Sequence, residues 1–389
     1  MEINLFLEPV HENFPGAAIR SGQARIGDTI TIHRATIFPD LDETKIALIG
    51  VCDDRASINN EGCANGVDSI REAFYQLFNY WPNLKIVDLG NIKQGYHVDD
   101  TYFALAQVMR FLLEKNIVPM VLSGGQDLTY AMYQSYGAMK QLVNITAIDS
   151  LFDLGSENDK LNSRSYLSQI IIHQPNYLFN FTNIGYQTYY VDYKAVDLMK
   201  NLLFDTYRLG VIRSDITEVE PLLRNTDLLS FDIGAVRSSD APGNANTSPN
   251  GFTGEEACRM MRYAGLSAKL SSVGFFEYNP LFDRDGTTAN LIAQMMWYFV
   301  EGFMHRKDDY PTSESSDFTR YTVQIEGNDD IIFLYNKYTE RWWIDLSMAQ
   351  KGNSKYEKHH FIPCSQKDYD MALREEIPDR WWQFYQKLM

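Results

Sequence analysis

From residue 45 to about residue 303, short and nearly continuous apolar segments alternate with longer amphipathic segments. The apolar segments have the length and the Val, Ile and Leu content of buried strands. We predict strands at residues 45–51, 85–89, 117–122, 144–148, 182–186, 228–231 and 272–276. Apolar residues three and four positions apart predict helices between the strands, among them residues 66–78 and 101–114. This alternation is typical of a three-layer α/β fold, with a doubly wound, mainly parallel sheet between two layers of helices.

The pattern changes near residue 307. Residues 307–317 are polar and contain Pro and Ser, which predicts an exposed connector. Residues 321–325, 331–335 and 341–346 then resemble strands, and we predict an antiparallel extension of two or three strands. A helix-like stretch from residue 365 to the end carries aromatic residues that either pack on the core or form an oligomer contact. These residues are Trp381, Trp382, Phe384 and Tyr385.

These changes divide the chain into three predicted parts. Residues 1–44 are an N-terminal segment that packs on the core. Residues 45–306 are the α/β domain, and residues 307–389 are a C-terminal extension of antiparallel strands and a helix.

The composition excludes several classes of partner. The 389 residues carry a formal net charge of −16, which disfavours binding to nucleic acid or to an anionic membrane surface. No apolar run approaches the roughly 18–20 residues that span a bilayer, and the N-terminus lacks the basic and apolar regions of a secretory signal. The four cysteines lie far apart, as expected of free thiols rather than of a zinc or redox motif. We therefore expect a cytoplasmic protein without membrane insertion.

Four predicted strands run directly into polar motifs. The motifs are SGGQDLT at residues 123–129, DSLFDL at 149–154, SFDIG at 230–234 and FEYNP at 276–280. In α/β sheets, ligand sites form beyond the carboxyl ends of the strands. Several carboxyl groups that converge there could hold a hard cation such as Mg²⁺, Mn²⁺ or Ca²⁺. The alternative is that each Asp caps a helix or forms a turn. The carboxyl groups are those of Asp149, Asp153, Asp232 and Glu277.

Residues 45–303 resemble the arginase, agmatinase and formiminoglutamase family, with its motifs in the correct order. The segments that carry the resemblance are NGVDSIR at 65–71, VDLG at 87–90, SFD at 230–232, APG at 241–243, GFT at 251–253 and EYNP at 277–280. The resemblance implies an arginase-type fold. It also implies a centre of two Mn²⁺ ions that share a hydroxide and are held by two His and four Asp residues.

The motifs of this chain depart from the family's metal ligands at three positions. The Gly-Gly-Asp-His-Ser motif is similar to residues 123–127, so Gln126 stands where the first His is expected, or Asp127 does if the match shifts by one residue. In the Asp-Ala-His-x-Asp motif, Leu151 replaces the second His. In the Asp-x-Asp motif, Gly234 replaces the second Asp. No histidine lies between residues 98 and 172 to act in their place.

Leu151 and Gly234 leave the second metal position without ligands of its own, so we expect it to be empty. The first position keeps three carboxylates and one weak carbonyl ligand, which predicts either no cofactor or a single weakly bound Mn²⁺ or Mg²⁺. These candidate ligands are Asp149, Asp153, Asp232 and Gln126.

Without a cation, converging carboxylates repel one another. At least one of them should then hold a proton at neutral pH or find a basic partner. Arg237 is a candidate for that partner, unless it is a surface residue.

Two functions remain open at this point. The first is an arginase-fold protein with an incomplete dimetal centre, which lacks efficient ureohydrolase activity and serves a binding or assembly role. Its partner would be another protein, or a second copy bound through the C-terminal extension. The second is an active C–N hydrolase that uses one metal ion or none, with Glu277 and Asp153 as catalytic residues. A small guanidino- or formimino-type ligand is the expected occupant, since the resemblance implies that Glu277 contacts such a group.

Overall fold

The structure is a computed structural model, and it describes residues 2–11, 14, 24–156, 159–312, 317–325, 329–347 and 360–388. The strands of the main sheet are β1 Leu7–Glu8, β2 Thr31–Ile32, β3 Ile46–Val51, β4 Ile86–Ile92, β5 Val118–Leu122, β6 Val143–Ile148, β7 Leu178–Tyr186, β8 Asp205–Arg208, β9 Leu228–Asp232 and β10 Ser272–Phe276. The helices around it are α1 Ile26–Thr29, α2 Gly66–Tyr75, α3 Val98–Glu114, α4 Leu128–Ala138, α5 Tyr166–Ile172, α6 Tyr193–Asn201, α7 Leu209–Ser214, α8 Val219–Arg224, α9 Gly254–Leu266 and α10 Thr287–Met304.

The main sheet is parallel except at one edge. Among the described residues its strand order is β1-β4-β3-β5-β10-β9-β6-β7-β8, with β2 beside β4. Only β1 runs antiparallel to its neighbour. This arrangement brings the carboxyl ends of β5, β10, β9 and β6 side by side, which are the four strands that run into the polar motifs.

Both faces of the sheet are buried. Ile46 and Leu48 of β3 belong to one apolar cluster, which includes side chains of α2, α9 and α10. Ala47 and Ile49 belong to a second cluster with α3, α4 and α5. Successive residues of a strand point to opposite faces, so the strand is covered on both sides. The predicted three-layer α/β fold with a mainly parallel sheet is confirmed.

Every strand predicted in the α/β domain is present, and the additional ones lie at the edges. The edge strand β8 has the sequence DTYR, which has neither an apolar run nor an alternating pattern by which to recognise it. The strands β1 and β2 are two residues long and pair with β4, and their apolar residues Leu7 and Ile32 add to the apolar clusters of the sheet. Tertiary pairing rather than local pattern creates these three strands.

A buried ion pair explains two of the sequence motifs. Arg71 and Asp88 both have side chains without solvent exposure. The Arg71 guanidinium donates to both carboxylate oxygens of Asp88 at 2.8 and 3.0 Å, and also to the Gly90 carbonyl at 2.8 Å. Tyr75 donates to Asp88 as well, at 2.7 Å. The motifs at 65–71 and 87–90 therefore attach α2 to β4, and a bidentate pair inside the core costs little only because all its hydrogen bonds are made.

The C-terminal extension forms a second sheet with two helices. Its strands β11 Phe318–Val323, β12 Ile331–Asn336, β13 Trp342–Asp345 and β14 Phe361–Cys364 pair antiparallel in sequence order. That is one strand more than predicted. The terminal stretch contains two helices instead of one, α11 Gln366–Ala372 and α12 Asp379–Leu388. Pro378 lies between them, and proline interrupts a helix because it lacks the N–H group.

The extension is attached to the α/β domain through α8. The guanidinium of Arg224 lies 4.6 Å from the ring centroid of Trp343 and donates to the carbonyls of Trp342 and Cys364 at 3.2 and 3.1 Å. The aromatic residues of α12 mostly pack within the subunit, since Trp381 and Phe384 are buried. Trp382 is the exception, with 45% of its surface exposed. Among the described residues, no helix combines the length and the apolar character needed to cross a membrane.

Substitution of the two neighbouring tryptophans of α12 should lower the free energy of unfolding by very different amounts. Trp381 is 4% exposed, so Trp381→Ala leaves a cavity and should lower the free energy of unfolding by about 3–5 kcal/mol. Trp382→Ala removes an exposed ring and should cost less than about 1 kcal/mol. Urea denaturation followed by circular dichroism measures both values. Equal losses for the two variants would show that α12 does not pack as described.

Candidate functional site

The polar motifs meet at the carboxyl ends of four adjacent strands. β5 leads into Gln126, β6 into Asp149 and Asp153, β9 ends at Asp232 and β10 leads into Glu277. All five side chains are buried. The structure thus brings together every candidate metal-binding and catalytic residue that the sequence singled out. We refer to the four carboxyl groups as the strand-end cluster.

Gln126 acts as a hydrogen-bond donor to the strand-end cluster. With its amide assigned so that both ends are paired, Nε2 lies 3.0 Å from Asp149 Oδ2 and 3.0 Å from Asp153 Oδ2, and Oε1 accepts from Ser230 Oγ at 3.2 Å. This assignment applies to the site without a cation. In the opposite orientation Nε2 donates to Ser230 Oγ at 3.2 Å and Oε1 faces the two carboxyl groups, as expected of a carbonyl ligand. The alternative match at Asp127 does not fit, since that side chain accepts from Tyr102 Oη at 2.6 Å instead.

Glu277 is held by neutral donors from two other segments. Ser57 Oγ and Asn60 Nδ2 donate to its Oε2 at 2.9 and 2.7 Å, and the Gln126 backbone N–H donates to its Oε1 at 3.0 Å. Asn60 Nδ2 also lies 2.9 Å from the backbone carbonyl of Glu277. These hydrogen bonds fix the carboxylate of Glu277 in one orientation.

The backbone of the site is strained at three non-glycine residues. Ser123, Asp153 and Glu277 have φ angles of +65°, +49° and +64°, in the left-handed region. Such conformations cost about 1–3 kcal/mol each and persist where the surroundings enforce them. The adjacent Gly124 has φ +83°, and a Cβ there would lie 2.5 Å from Leu128 Cδ1. The turn after β5 therefore requires glycine at this position.

Burial raises the pKa of the carboxyl groups in the strand-end cluster. The pKa values of Asp149 and Asp232 lie well above the ordinary value, first because of burial and then because of neighbouring negative charge. Burial also raises the pKa of Asp153 to about 6, although a hydrogen bond from Asp149 and the charge of Arg164 oppose the shift. A hydrogen bond to Asp153 raises the pKa of Asp149 further and favours its protonated form. This agrees with the expectation that at least one carboxyl holds a proton.

The basic partner of the strand-end cluster is Arg164. Its Nη1 lies 3.7 Å from Asp153 Oδ1. Burial by itself would lower the pKa of Arg164, but the charges of the four carboxyl groups outweigh burial and raise it. Arg237, the partner considered from the sequence, instead pairs with Asp240, with Nε 2.8 Å from Oδ1.

At Leu151 and Gly234, two positions where the resemblance implies metal ligands, the backbone N–H groups bond the nearby carboxyl groups. The N–H of Leu151 donates to Asp149 Oδ1 at 3.0 Å, and the N–H of Gly234 donates to Asp232 Oδ1 at 2.6 Å. A search of the described residues finds no group of three or more His, Cys, Asp and Glu side chains arranged to hold a metal ion.

A sequence model of the arginase family matches residues 44–301, well over half of the chain. The chain belongs to the arginase family. Formimidoylglutamases are among the relatives of this arginase-family chain. That of Staphylococcus carnosus is 25% identical over 294 residues, covering 70% of this chain and 92% of the relative. One from Staphylococcus aureus is 26% identical over 270 residues, covering 66% and 86%.

Solved structures of the arginase family share the fold. Trypanosoma cruzi formiminoglutamase with Mn²⁺ superposes with a TM-score of 0.64 at 20% identity, covering 73% of this chain and 99% of that one. Formimidoylglutamase from Bacillus subtilis gives a TM-score of 0.62 at 19% identity, covering 70% and 96%. At these identities the likeness shows the fold alone.

Sequence patterns missed several residues of this arginase-family site. Ser57 and Asn60 lie in the loop after β3, where small polar residues are indistinguishable from ordinary loop residues. Arg164 had a usable signal, because Lys160 and Arg164 are the only cations in the segment between β6 and α5. That segment leaves the carboxyl end of a strand, so its basic residues were candidates to compensate the acidic motifs.

The buried carboxyl of Asp127 should make the stability of the protein depend on pH. Burial raises its pKa from 3.8 to about 7, so between these values the folded protein holds a proton that the unfolded chain releases. The free energy of unfolding should therefore fall as the pH rises through this range. Asp127→Asn removes the contribution of Asp127, while the raised pKa values of Asp149, Asp153 and Asp232 keep theirs. Between about pH 4 and about pH 8, the free energy of unfolding of the variant should therefore fall by less than that of the wild type, with a difference on the order of 3 kcal/mol.

Urea denaturation across this pH range measures the difference. Asp240→Asn is the control, because burial raises the pKa of Asp240 but hydrogen bonds from Arg237, Gly254 and Ser239 together outweigh burial and hold it below 3.8. The effect of Asp240→Asn on the free energy of unfolding should be confined to pH values below this range. The same pH dependence in Asp127→Asn and in the wild type would contradict the assignment.

Proposed function

We propose that this formiminoglutamase-like member of the arginase family serves a binding or assembly role and does not hydrolyse C–N bonds with two manganese ions. The observation that carries the proposal is the set of residues at the three positions where the family resemblance implies metal ligands. These residues are Gln126, Leu151 and Gly234. None of them supplies the imidazole or carboxylate that a dimanganese centre requires there.

The hydrogen bonds of the site support the same conclusion. With its amide assigned so that both ends are paired, Gln126 donates to Asp149 and Asp153, and in the opposite orientation its carbonyl oxygen adds only one weak ligand. Hydrolysis of a formimino or guanidino group requires hydroxide, and metal ions supply it by lowering the pKa of bound water from about 15.7 to about 7. A donor set that seats at most one cation weakly would lose most of that effect. The residues present therefore do not fit the dimanganese group.

The proposed binding role has two sites in the molecule. A small guanidino- or formimino-type ligand would bind at the strand-end cluster, where Glu277 is already oriented. A protein partner or a second copy would bind the C-terminal extension, where Trp382 and Tyr338 are exposed. Exposed aromatic side chains are enriched at the centre of protein interfaces.

A second function is supported by the intact part of the site. Glu277 and Asp153 remain in place, and the formimidoylglutamase relatives match over most of their length. In this alternative the chain is an active hydrolase of formimino or guanidino substrates with one metal ion or none. Glu277 would hold the cationic group of the substrate and Asp153 would accept a proton.

Metal content and turnover distinguish the two functions. The purified full chain, incubated with Mn²⁺ and desalted, should retain no stoichiometric manganese by elemental analysis. It should also show no Mn²⁺-dependent hydrolysis of formiminoglutamate, agmatine or arginine. Turnover that Asp149→Ala abolishes would refute the proposal in favour of the hydrolase.

Restoring the ligands provides the positive control. The triple variant Gln126→His, Leu151→His, Gly234→Asp should bind Mn²⁺ measurably, whereas Gln126→His alone should not. A Cβ at position 234 would lie 3.0 Å from Asp232 Oδ1 and 3.4 Å from Asn244 Nδ2, so the new side chain enters beside the cluster with a small adjustment.

Association through the extension predicts a specific effect of Trp382. Trp382→Ser should lower the mass of the protein in solution, measured by light scattering at fixed concentration, without altering its thermal unfolding. Tyr96→Ser is the matched control, because Tyr96 is an exposed aromatic residue outside the extension. An unchanged mass for Trp382→Ser would exclude this ring from the interface.

A further inference from the structure

The strand-end cluster contains one buried oxygen without a hydrogen bond. Asp153 Oδ1 is buried and has no hydrogen-bond partner, while the other carboxylate oxygen of Asp153 faces the amide of Gln126. Leaving a buried carboxylate oxygen unpaired is costly unless a positive charge lies nearby. The unpaired oxygen therefore marks the position at which this site receives a cation.

The nearest cation to that oxygen belongs to the chain itself. Arg164 Nη1 lies 3.7 Å from Asp153 Oδ1, with the Asp153 side chain 2% exposed and the Arg164 side chain 30% exposed. Of the ion pairs between described residues, this is the only one that reaches the strand-end cluster. The other arginines near this end of the sheet have different partners: Arg55 pairs with Asp53 and Arg237 with Asp240.

We propose that the guanidinium of Arg164 is the resident cation of the strand-end cluster, where it takes the place of bound metal ions and closes the site to cations from solution. This inference rests on the proposed function, because it treats the site as one that holds no metal pair. It assigns Arg164 a positioning role, since it compensates charge and excludes ions.

The backbone that carries Arg164 is fixed to the site. The N–H of Ser163 donates to the Ala56 carbonyl at 2.9 Å, and the N–H of Ile58 donates to Ser163 Oγ at 3.0 Å. The N–H of Arg164 itself donates to Asn162 Oδ1 at 2.8 Å. Ser57, which lies between the two anchoring residues, is a donor to Glu277. One short segment thus holds both Glu277 and the loop that presents the guanidinium.

The contact is close enough for strong attraction but too long for a hydrogen bond. At 3.7 Å, the charges attract strongly in a site of low dielectric, whereas a hydrogen bond requires about 2.7–3.2 Å. The guanidinium can therefore be removed without breaking a directional bond. Its removal should leave a negatively charged space that accepts a small cation.

Arg164→Met tests this inference because it replaces the guanidinium by an apolar side chain. In calorimetric titration of the full chain, the variant should bind Mn²⁺ about tenfold more tightly than the wild type, since the repelling charge is gone. Guanidinium chloride, well below denaturing concentration, should raise the Tm of the variant more than NaCl of equal ionic strength does. The wild type should show no such difference.

Further variants distinguish the effect of the charge at position 164 from the effect of the side-chain shape and from a general loss of stability. Arg164→Gln is a second neutral variant with the same expected behaviour, and Arg164→Lys keeps the charge and should exclude Mn²⁺ as the wild type does. Arg237→Met is the matched control, because it removes an arginine that pairs with Asp240 outside the cluster.

The possible outcomes separate this inference from the proposed function. The role of Arg164 would be overturned if the neutral variants bind Mn²⁺ no better than the wild type and guanidinium chloride raises their Tm no more than NaCl does. The proposed function would then still stand if the wild type carries no manganese. Two tightly bound Mn²⁺ ions in the wild type would overturn both.

Discussion

Four carboxyl groups are buried where β6, β9 and β10 end, and their charge must be compensated inside the protein because water is largely excluded. Three neighbouring features supply this compensation. Gln126 donates its amide to two of the carboxyl groups, burial raises the pKa of Asp149 and so favours its neutral form, and Arg164 supplies a positive charge. Glu277 is satisfied separately by neutral donors. The arrangement of these side chains around the site is explained by the need to compensate buried negative charge.

A second buried carboxylate, in the core of the protein, is compensated by an arginine with a different geometry. Arg71 and Asp88 are fully buried, and every polar contact between them is a short hydrogen bond. That pair is a structural element, since it attaches a helix to the sheet. The pair formed by Arg164 and Asp153 is longer, partly exposed and leaves one oxygen without a hydrogen bond. The difference in geometry separates a motif that stabilises the fold from a site that is arranged to receive a cation.

The arginase-type fold of this chain depends on the packing of its sheet and helices. The match to the family extends over residues 44–301, and the apolar clusters on both faces of the sheet are complete. Leu151 and Gly234 lie beyond the strand ends and outside the apolar clusters of the sheet. The C-terminal extension adds its own apolar core and is attached through Arg224. The packing that defines the fold is therefore separate from the residues at its strand ends.

The sequence by itself determined the α/β class, the predicted strands and the carboxylates at their ends, because apolar periodicity and motif order are local properties of the chain. It did not determine the edge strand β8, whose DTYR segment becomes a strand only by pairing with β7. Nor did it determine which way the Gln126 amide faces, or that Arg164 rather than Arg237 meets the carboxyl groups. Those features depend on distances between residues far apart in the chain, and only the packed tertiary structure sets such distances.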